Sequence, residues 1–335
     1  MERDLNKPTF IAEIASSHNG SFELLREICN QADKSKLIKL YKIQIFKNKN
    51  LCHKTSNLFE SLKKIEIKYQ LWEKLINKIK NKNKIVFEPF DDESLNFCLK
   101  FKKINKLKIP SAENKNKNFI LKVLKKYNKV FFNISGFSNN EILNFLTNYK
   151  KYRNKLIIMY GFQSYPTNFH DLRLNKIRLI KNHGFKVGYA DHTQNNKIGE
   201  TYISTINALR CGASFIEKHV TPSLKKKLPD NITSFEIPDL ENFIKNLLGL
   251  YKFNKKIDIS KSEKTYCVQM DKFAFTQKKV NKGEKVHIDD FKFLRTNLKG
   301  VSLDELDKLI KQNELKYNVS LKENAFIRTR LFKKK

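Results

Sequence analysis

The chain has 335 residues, 40% hydrophobic and 12% aromatic; at this size roughly three quarters of the unfolded surface is buried on folding, which excludes wholesale disorder. No apolar run approaches the roughly 18 residues of a spanning helix, and the start MERDLNKPTFIAEIA has no basic region leading into an apolar core, so no membrane segment is expected and a cytoplasmic protein is. The 67 Lys+Arg against 34 Asp+Glu give a net charge of +33, but the lysines are scattered with Asn and Ile through every segment, which reads as a solvated coat and not as a nucleic-acid surface.

Such a field still attracts small anions. Five cysteines, Cys29, Cys52, Cys98, Cys211 and Cys267, form no CxxC pair and read as reduced thiols.

In chain order, short β-branched or aromatic runs alternate with longer amphipathic stretches. The runs are TFIAEIA (9–15), LYKIQIF (40–46), KIVFEPF (84–90), KLKIPSAE (106–113), KVFFNIS (129–135), KLIIMYGF (155–162), KVGYADH (186–192) and SFIEKHV (214–220). Between them lie helical patterns such as FELLREICNQADKSK, YQLWEKLINKIKNK, NFILKVLKK, NEILNFLTNYKKY and IGETYISTINALR, and DLENFIKNLLGLYKF follows the last run. Eight strand–helix alternations predict a (β/α)8 TIM barrel over residues 1–255, with a doubly wound open sheet as the rival. The polar stretch at 256–265 reads as a linker. Short alternating strands over 266–335, around a turn at NKGE, predict a small β-rich domain.

In a TIM barrel, chemistry collects at the carboxyl ends of the strands. Those positions here hold Glu13, Lys42, Gln44, Glu88, Lys108, Ser111, Glu113, Ser135, Tyr165, Asp191, His192, Glu217, Lys218 and His219. His192 and His219 end adjacent strands, so their imidazoles could converge on one metal, with carboxylates or water completing an open shell; either His alone reads as a hydrogen-bonded structural residue. Lys42 and Lys108 could neutralise a phosphate that Ser111 and Ser135 also contact, because a buried lysine needs an anion; the alternative is that they point outward. Glu13 and Glu113 are acid/base or water-positioning carboxylates, or else internal partners of those lysines. HNG at 18–20 reads as a turn.

The segments IAEIASSHNG (11–20), YKIQIF (41–46), FEPFD (87–91), KIPSAE (108–113), SYPT (164–167), GYADHT (188–193), IEKHVT (216–221) and LPDNITSFE (228–236) resemble, in order and spacing, the sialic acid synthase family, the phosphoenolpyruvate-dependent synthases of sialic, legionaminic and pseudaminic acids. GFQ before YPT is similar to the spore coat polysaccharide branch. The tail FAFTQKKVNKGEKVHIDDFKFLR resembles the antifreeze-like (SAF) domain that follows the barrel in that family.

The resemblance implies condensation of phosphoenolpyruvate with an N-acylated hexosamine and water, to a nine-carbon 2-keto acid and phosphate. It implies a divalent metal, manganese or alternatively magnesium, on His192 and His219. It places phosphoenolpyruvate on Lys42, Lys108, Ser111 and Ser135, Glu113 near the metal-bound water, and Gln44 and Tyr165 along the site. Glu13 and Asp230 match contacts to the sugar, and Arg295 falls where a partner subunit's small domain reaches in, which implies a domain-swapped homodimer. Departures from the family pattern are Ala190 in GYADHT, where Ser is usual, Ser164, where a phosphate-contacting Asn is expected, and ISGF in place of STGM. A barrel without catalysis that serves as a basic scaffold, or another metal-dependent lyase or sugar-phosphate synthase of the same barrel group, are the competing readings.

Overall fold

The computed structural model describes residues 7–253, 258–312 and 314–334. Strands β1 (Thr9–Glu13), β2 (Leu40–Ile45), β3 (Ile85–Pro89), β4 (Lys106–Ile109), β5 (Lys129–Asn133), β6 (Leu156–Tyr160), β7 (Lys186–Asp191) and β8 (Phe215–His219) pair in parallel, each with the next, and β8 closes on β1. The closed barrel settles the choice against an open sheet.

The outer helices form where the 3.6-residue period demands it. Phe22–Lys34 turns Leu25, Ile28, Cys29 and Ala32 onto the strands, and Ser21 starts it by accepting the Leu24 N–H at 3.2 Å. The end of this helix is met by Lys84, whose ammonium donates to the carbonyls of Ala32, Asp33 and Ser35 at 3.1, 2.8 and 2.7 Å, a cation on the negative pole of the helix.

Closing the sheet buries both of its faces. One face packs under the helices, where Phe10, Tyr41, Phe87, Phe132 and Tyr189 sit. The other fills the barrel with Ile11, Leu40, Val86, Phe131, Ile157, Met159, Ala190 and Phe215. This inner plug has no spare volume: a Cβ at Gly188 would overlap the Met159 sulfur. The loop after β1 is equally tight, and the Asn19–Gly20 pair turns through positive φ (46° and 79°), as HNG led us to expect. A Cβ at Gly20 would run into the Lys64 carbonyl oxygen, so the glycine is required by both conformation and space.

Residues 1–253 and 254–335 form two compact units. Of the expected linker at 256–265, residues 256 and 257 lie outside the described residues and 258–260 belong to no helix or strand, but 261–265 need correcting: a helix runs Lys261–Met270. All ten of its residues are exposed, so no apolar stripe announced it; its start is fixed locally by the reciprocal capping of Ser260 and Glu263. In the second unit β9 (Lys272–Thr276) pairs antiparallel with β10 (Phe291–Arg295), and β11 (Leu315–Tyr317) with β12 (Phe332–Lys334). A separate core of Ala274, Val280, Val286, Val301, Leu306 and Ile327 holds them. NKGE does turn, with Gly283 at φ 90°, but its flanks bridge to Leu321 and Lys316 and not to each other. Among the described residues no helix is long and apolar enough to cross a membrane.

His18 in the loop after β1 is buried, its Nδ1 accepts the Gly20 N–H at 3.1 Å, and burial pushes its pKa down to about 4. The unfolded chain therefore binds a proton that the folded chain refuses between about pH 6.5 and 4, and barrel stability drops as the pH is lowered through that window, by up to about 3 kcal/mol from this group. Denaturant titrations at a series of pH values should show a shallower loss over that window in His18→Gln than in the parent; equal slopes would show that His18 is not held neutral.

Candidate active site

At the carboxyl end of the barrel the inward positions change from apolar to charged. Glu13 and Lys42 are register partners on β1 and β2, Gln44 and Glu88 on β2 and β3, and Ala190 and Glu217 on β7 and β8. Lys42 is fully enclosed, and its ammonium contacts Glu13 and Glu88 directly, with Glu217 Oε1 at 3.7 Å. Lys108 donates to Glu217 Oε1 at 2.6 Å and lies 3.7 Å from Glu88 Oε1. Gln44 Nε2 donates to Glu88 Oε2 at 3.1 Å, and the Ala15 N–H donates to Glu13 Oε1 at 2.7 Å.

Both lysines therefore point inward, and both already have carboxylate partners. Burial alone would push Lys108 down, but Glu217 and Glu88 outweigh it and hold the ammonium above its ordinary range. Burial likewise pushes Glu217 up, and Lys108 and Lys42 reverse it, leaving the carboxyl at about 2. Glu13 meets the reading that made it an internal partner of a lysine. Glu113 does not: it ends a single 3-10 turn (Ser111–Glu113), half-buried, and accepts from Asn116 Nδ2 at 2.8 Å, with no ion pair to either lysine among the described residues. Burial raises its pKa.

Beside this network, on the same rim, the imidazoles of His192 and His219 lie edge to face with centroids 5.2 Å apart, and the Tyr165 ring stands 5.5 Å from each. Tyr165 is fixed by its hydroxyl, which meets Thr233 Oγ1 and donates to the Asp230 carbonyl at 3.1 Å. Asp230, in the left-handed region at φ 66°, accepts the Ser16 N–H at 3.0 Å and brings Oδ2 to 4.0 Å from His219 Nδ1. Burial pushes His192 down to about 4 and His219 well below its ordinary value, so both are neutral at physiological pH. His219 Nδ1 and Glu217 Oε2 are buried without a hydrogen-bond partner.

Neutral imidazoles with an unsatisfied nitrogen fit a cation. Among the described residues no group of three or more His, Cys, Asp or Glu side chains is arranged to hold one, so the two imidazoles would leave the remaining positions to water or substrate oxygens.

Across the mouth, Ser135 Oγ accepts the Gly161 N–H at 3.2 Å, and a Cβ on Gly161 would press on the Ala190 carbonyl oxygen. Ser111 is half-buried at the start of its turn, and Ser164 is exposed, donating to the Pro166 carbonyl at 3.3 Å. Arg295 is exposed at the end of β10 in the second unit.

Two of the polar strand-end residues face away from the mouth. Lys218 and Asp191 point outward, beneath the helices, and pair at 3.1 Å with both side chains buried. Lys218 also donates to the Thr193 carbonyl and hydroxyl at 3.1 and 3.3 Å, and Asp191 Oδ1 accepts the Thr193 N–H at 2.8 Å. This clamp grips the chain on both sides of His192 and one residue before His219. Glu88 and Glu217, noted at strand ends without a role, are the residues that sequence reasoning missed; register with Gln44 and with Ala190 is what places them inward.

The NeuB family model matches residues 28–258. The chain belongs to the NeuB family. It is 28% identical over 306 residues to N,N'-diacetyllegionaminic acid synthase of Campylobacter jejuni, covering 84% of this chain and 88% of that protein. Its fold is shared with the crystal structure of a putative spore coat polysaccharide biosynthesis protein E from Chromobacterium violaceum (TM-score 0.68, 19% identity, 98% and 100% of the two chains). It is shared also with N-acetylneuraminic acid synthetase from Leptospira borgpetersenii (TM-score 0.65, 24% identity, 78% and 91%).

The outward clamp has a measurable consequence. Asp191→Ala strands the buried Lys218 ammonium and should cost about 3 to 5 kcal/mol in chemical denaturation, and adding Lys218→Met should recover much of that loss. Additive losses in the double variant would show that the two side chains do not act as a pair.

Proposed function

We propose that this NeuB-family chain condenses phosphoenolpyruvate with a ManNAc-like N-acylated hexosamine and water, giving a nine-carbon 2-keto acid of the nonulosonic type and phosphate. The observation that carries the reading is the placement, on one barrel rim, of two inward lysines beside a pair of neutral imidazoles. Its relatives include synthases of N,N'-diacetyllegionaminic and pseudaminic acids, which supports the reaction class.

The enol carbon of phosphoenolpyruvate forms a bond to the aldehyde carbon of the open-chain sugar, whose oxygen takes a proton and becomes a hydroxyl. Water adds to the carbon that held the phosphate, the carbon–oxygen bond to phosphate breaks, and a keto group remains. Lys42 and Lys108, with Ser111, Ser135 and the Gln44 amide, bind and orient the phosphate and carboxylate. We read Glu113, whose pKa is raised by burial, as the group that holds the attacking water and receives its proton. Glu13, Asp230 and Tyr165 line the sugar side. His192 and His219 would hold a divalent cation, manganese or magnesium, which when bound supplies Lewis acidity to the sugar carbonyl. We read the second unit as an antifreeze-like (SAF) domain whose Arg295 completes the site of a partner in a domain-swapped homodimer.

The test is to incubate the chain with phosphoenolpyruvate, manganese and a panel of N-acyl hexosamines, measuring phosphate and 2-keto acid together. One sugar should release both in equal amounts, and none doing so would refute the reading. His192→Ala and His219→Ala should each abolish turnover with the far-ultraviolet circular dichroism unchanged. Lys108→Ala should weaken phosphoenolpyruvate binding by about 2 to 4 kcal/mol, and an unchanged KM for it would remove Lys108 from the anion site.

A further inference from the structure

The proposed function brings an anion to two lysines that are already neutralised. In the free chain three buried carboxylates, Glu13, Glu88 and Glu217, face two ammoniums, Lys42 and Lys108, so the network carries one excess negative charge if all five are ionised. Phosphoenolpyruvate adds a phosphate and a carboxylate. Like charges brought into contact in a dry interior repel strongly, because little water is left to screen them. A carboxylate that loses its cation to the substrate must therefore move away or take up a proton.

The three carboxylates are not equivalent. Glu13 keeps the Ala15 N–H at 2.7 Å whatever happens to Lys42. Glu217 lies closest to Lys108, at 2.6 Å, and shares its rim with the imidazoles of His192 and His219. Among the described residues Glu88 has hydrogen bonds and ion pairs only with Lys42, with Gln44 at 3.1 Å and with Lys108 at 3.7 Å, and every one of these is a group that the substrate would claim. It accepts no backbone N–H among the described residues. Around it stand Glu13 from β1, Lys42 and Gln44 from β2, Lys108 from β4 and Glu217 from β8.

We propose that Glu88 is the resident counter-ion of the phosphoenolpyruvate site, a positioning residue that holds Lys42 and Gln44 in the free protein and takes up one proton when the substrate's anionic groups replace it. Protonated, it becomes a hydrogen-bond donor to a substrate oxygen or to the Gln44 carbonyl, and it adds no negative charge beside the bound anion. The inference rests on the phosphoenolpyruvate reading above.

The test is calorimetric titration of the full chain with phosphoenolpyruvate, without added metal or sugar, in buffers of different ionisation enthalpy, above about pH 7.5. The apparent binding enthalpy should vary with that of the buffer with a slope of about one proton taken up per site, and Kd should weaken about tenfold per pH unit. In Glu88→Gln, which keeps the shape and loses the charge, the slope should fall close to zero, with binding tighter than in the parent by about tenfold or more at the upper end of the range and nearly independent of pH. Binding by the parent without proton uptake overturns the proposal. So does uptake that survives in Glu88→Gln, which would assign the proton to Lys42 or another carboxylate. Should Glu88→Gln fail to fold, the pH dependence of Kd in the parent alone decides, since a flat profile sinks the idea. Absence of any phosphoenolpyruvate binding to the folded parent would instead refute the function on which the proposal stands, and the proposal with it.

Discussion

An ammonium enclosed in a barrel loses its water, and the cost of several kcal/mol is recovered only if carboxylates take the water's place. Lys42 and Lys108 impose that condition on the upper layer of this barrel, and Glu13, Glu88 and Glu217 meet it from three different strands. Because the partners come from β1, β3 and β8, the network exists only once the sheet has closed. It ties the first, second, third, fourth and eighth strands together just above the apolar plug of Ile11, Leu40, Val86 and Phe215. The ion pairs and the plug are complementary: the plug keeps solvent out from below, and this raises both the cost of an unpaired charge and the strength of a paired one.

The barrel carries a second polar device on its outer face, where β8 is joined by β7. Asp191 and Lys218 pair beneath the helices while their neighbours in sequence, His192 and His219, face the mouth. Chemistry on one side of β7 and β8 is thus backed by rigidity on the other. The Thr193 backbone, bonded to both members of the pair, transmits that rigidity to the loop that carries His192. Tyr165 and Asp230, from two further loops, close around the imidazoles through backbone and hydroxyl contacts.

The second unit follows a different logic. Its strands are three to five residues long, and a compact apolar core of its own holds them. Within it Asp290 is buried yet fully engaged, accepting from the His287 N–H at 2.9 Å and the Tyr317 hydroxyl at 3.1 Å, with the Lys278 ammonium at 2.8 Å. Among the described residues of this unit Asp290 is the one buried carboxylate, in contrast to the multi-strand network of the barrel.

The sequence by itself determined the alternation of strand and helix, because helix periods and short β-branched runs are local properties, and it determined that His192 and His219 would end neighbouring strands. It also carried the Asn19–Gly20 turn and, in the motif segments, the family. What it could not contain was the direction of each strand-end side chain. A strand with one wet face alternates apolar and polar residues, whereas a barrel strand is buried on both faces and shows no alternation. Nothing local therefore distinguishes Lys42, which faces inward, from Lys218, which faces out, or announces that Glu88 lies against Lys42 and Gln44 while Glu113 turns to Asn116. Those choices were made by the register and closure of the sheet, because they alone decide which charged groups are forced to share one dry interior.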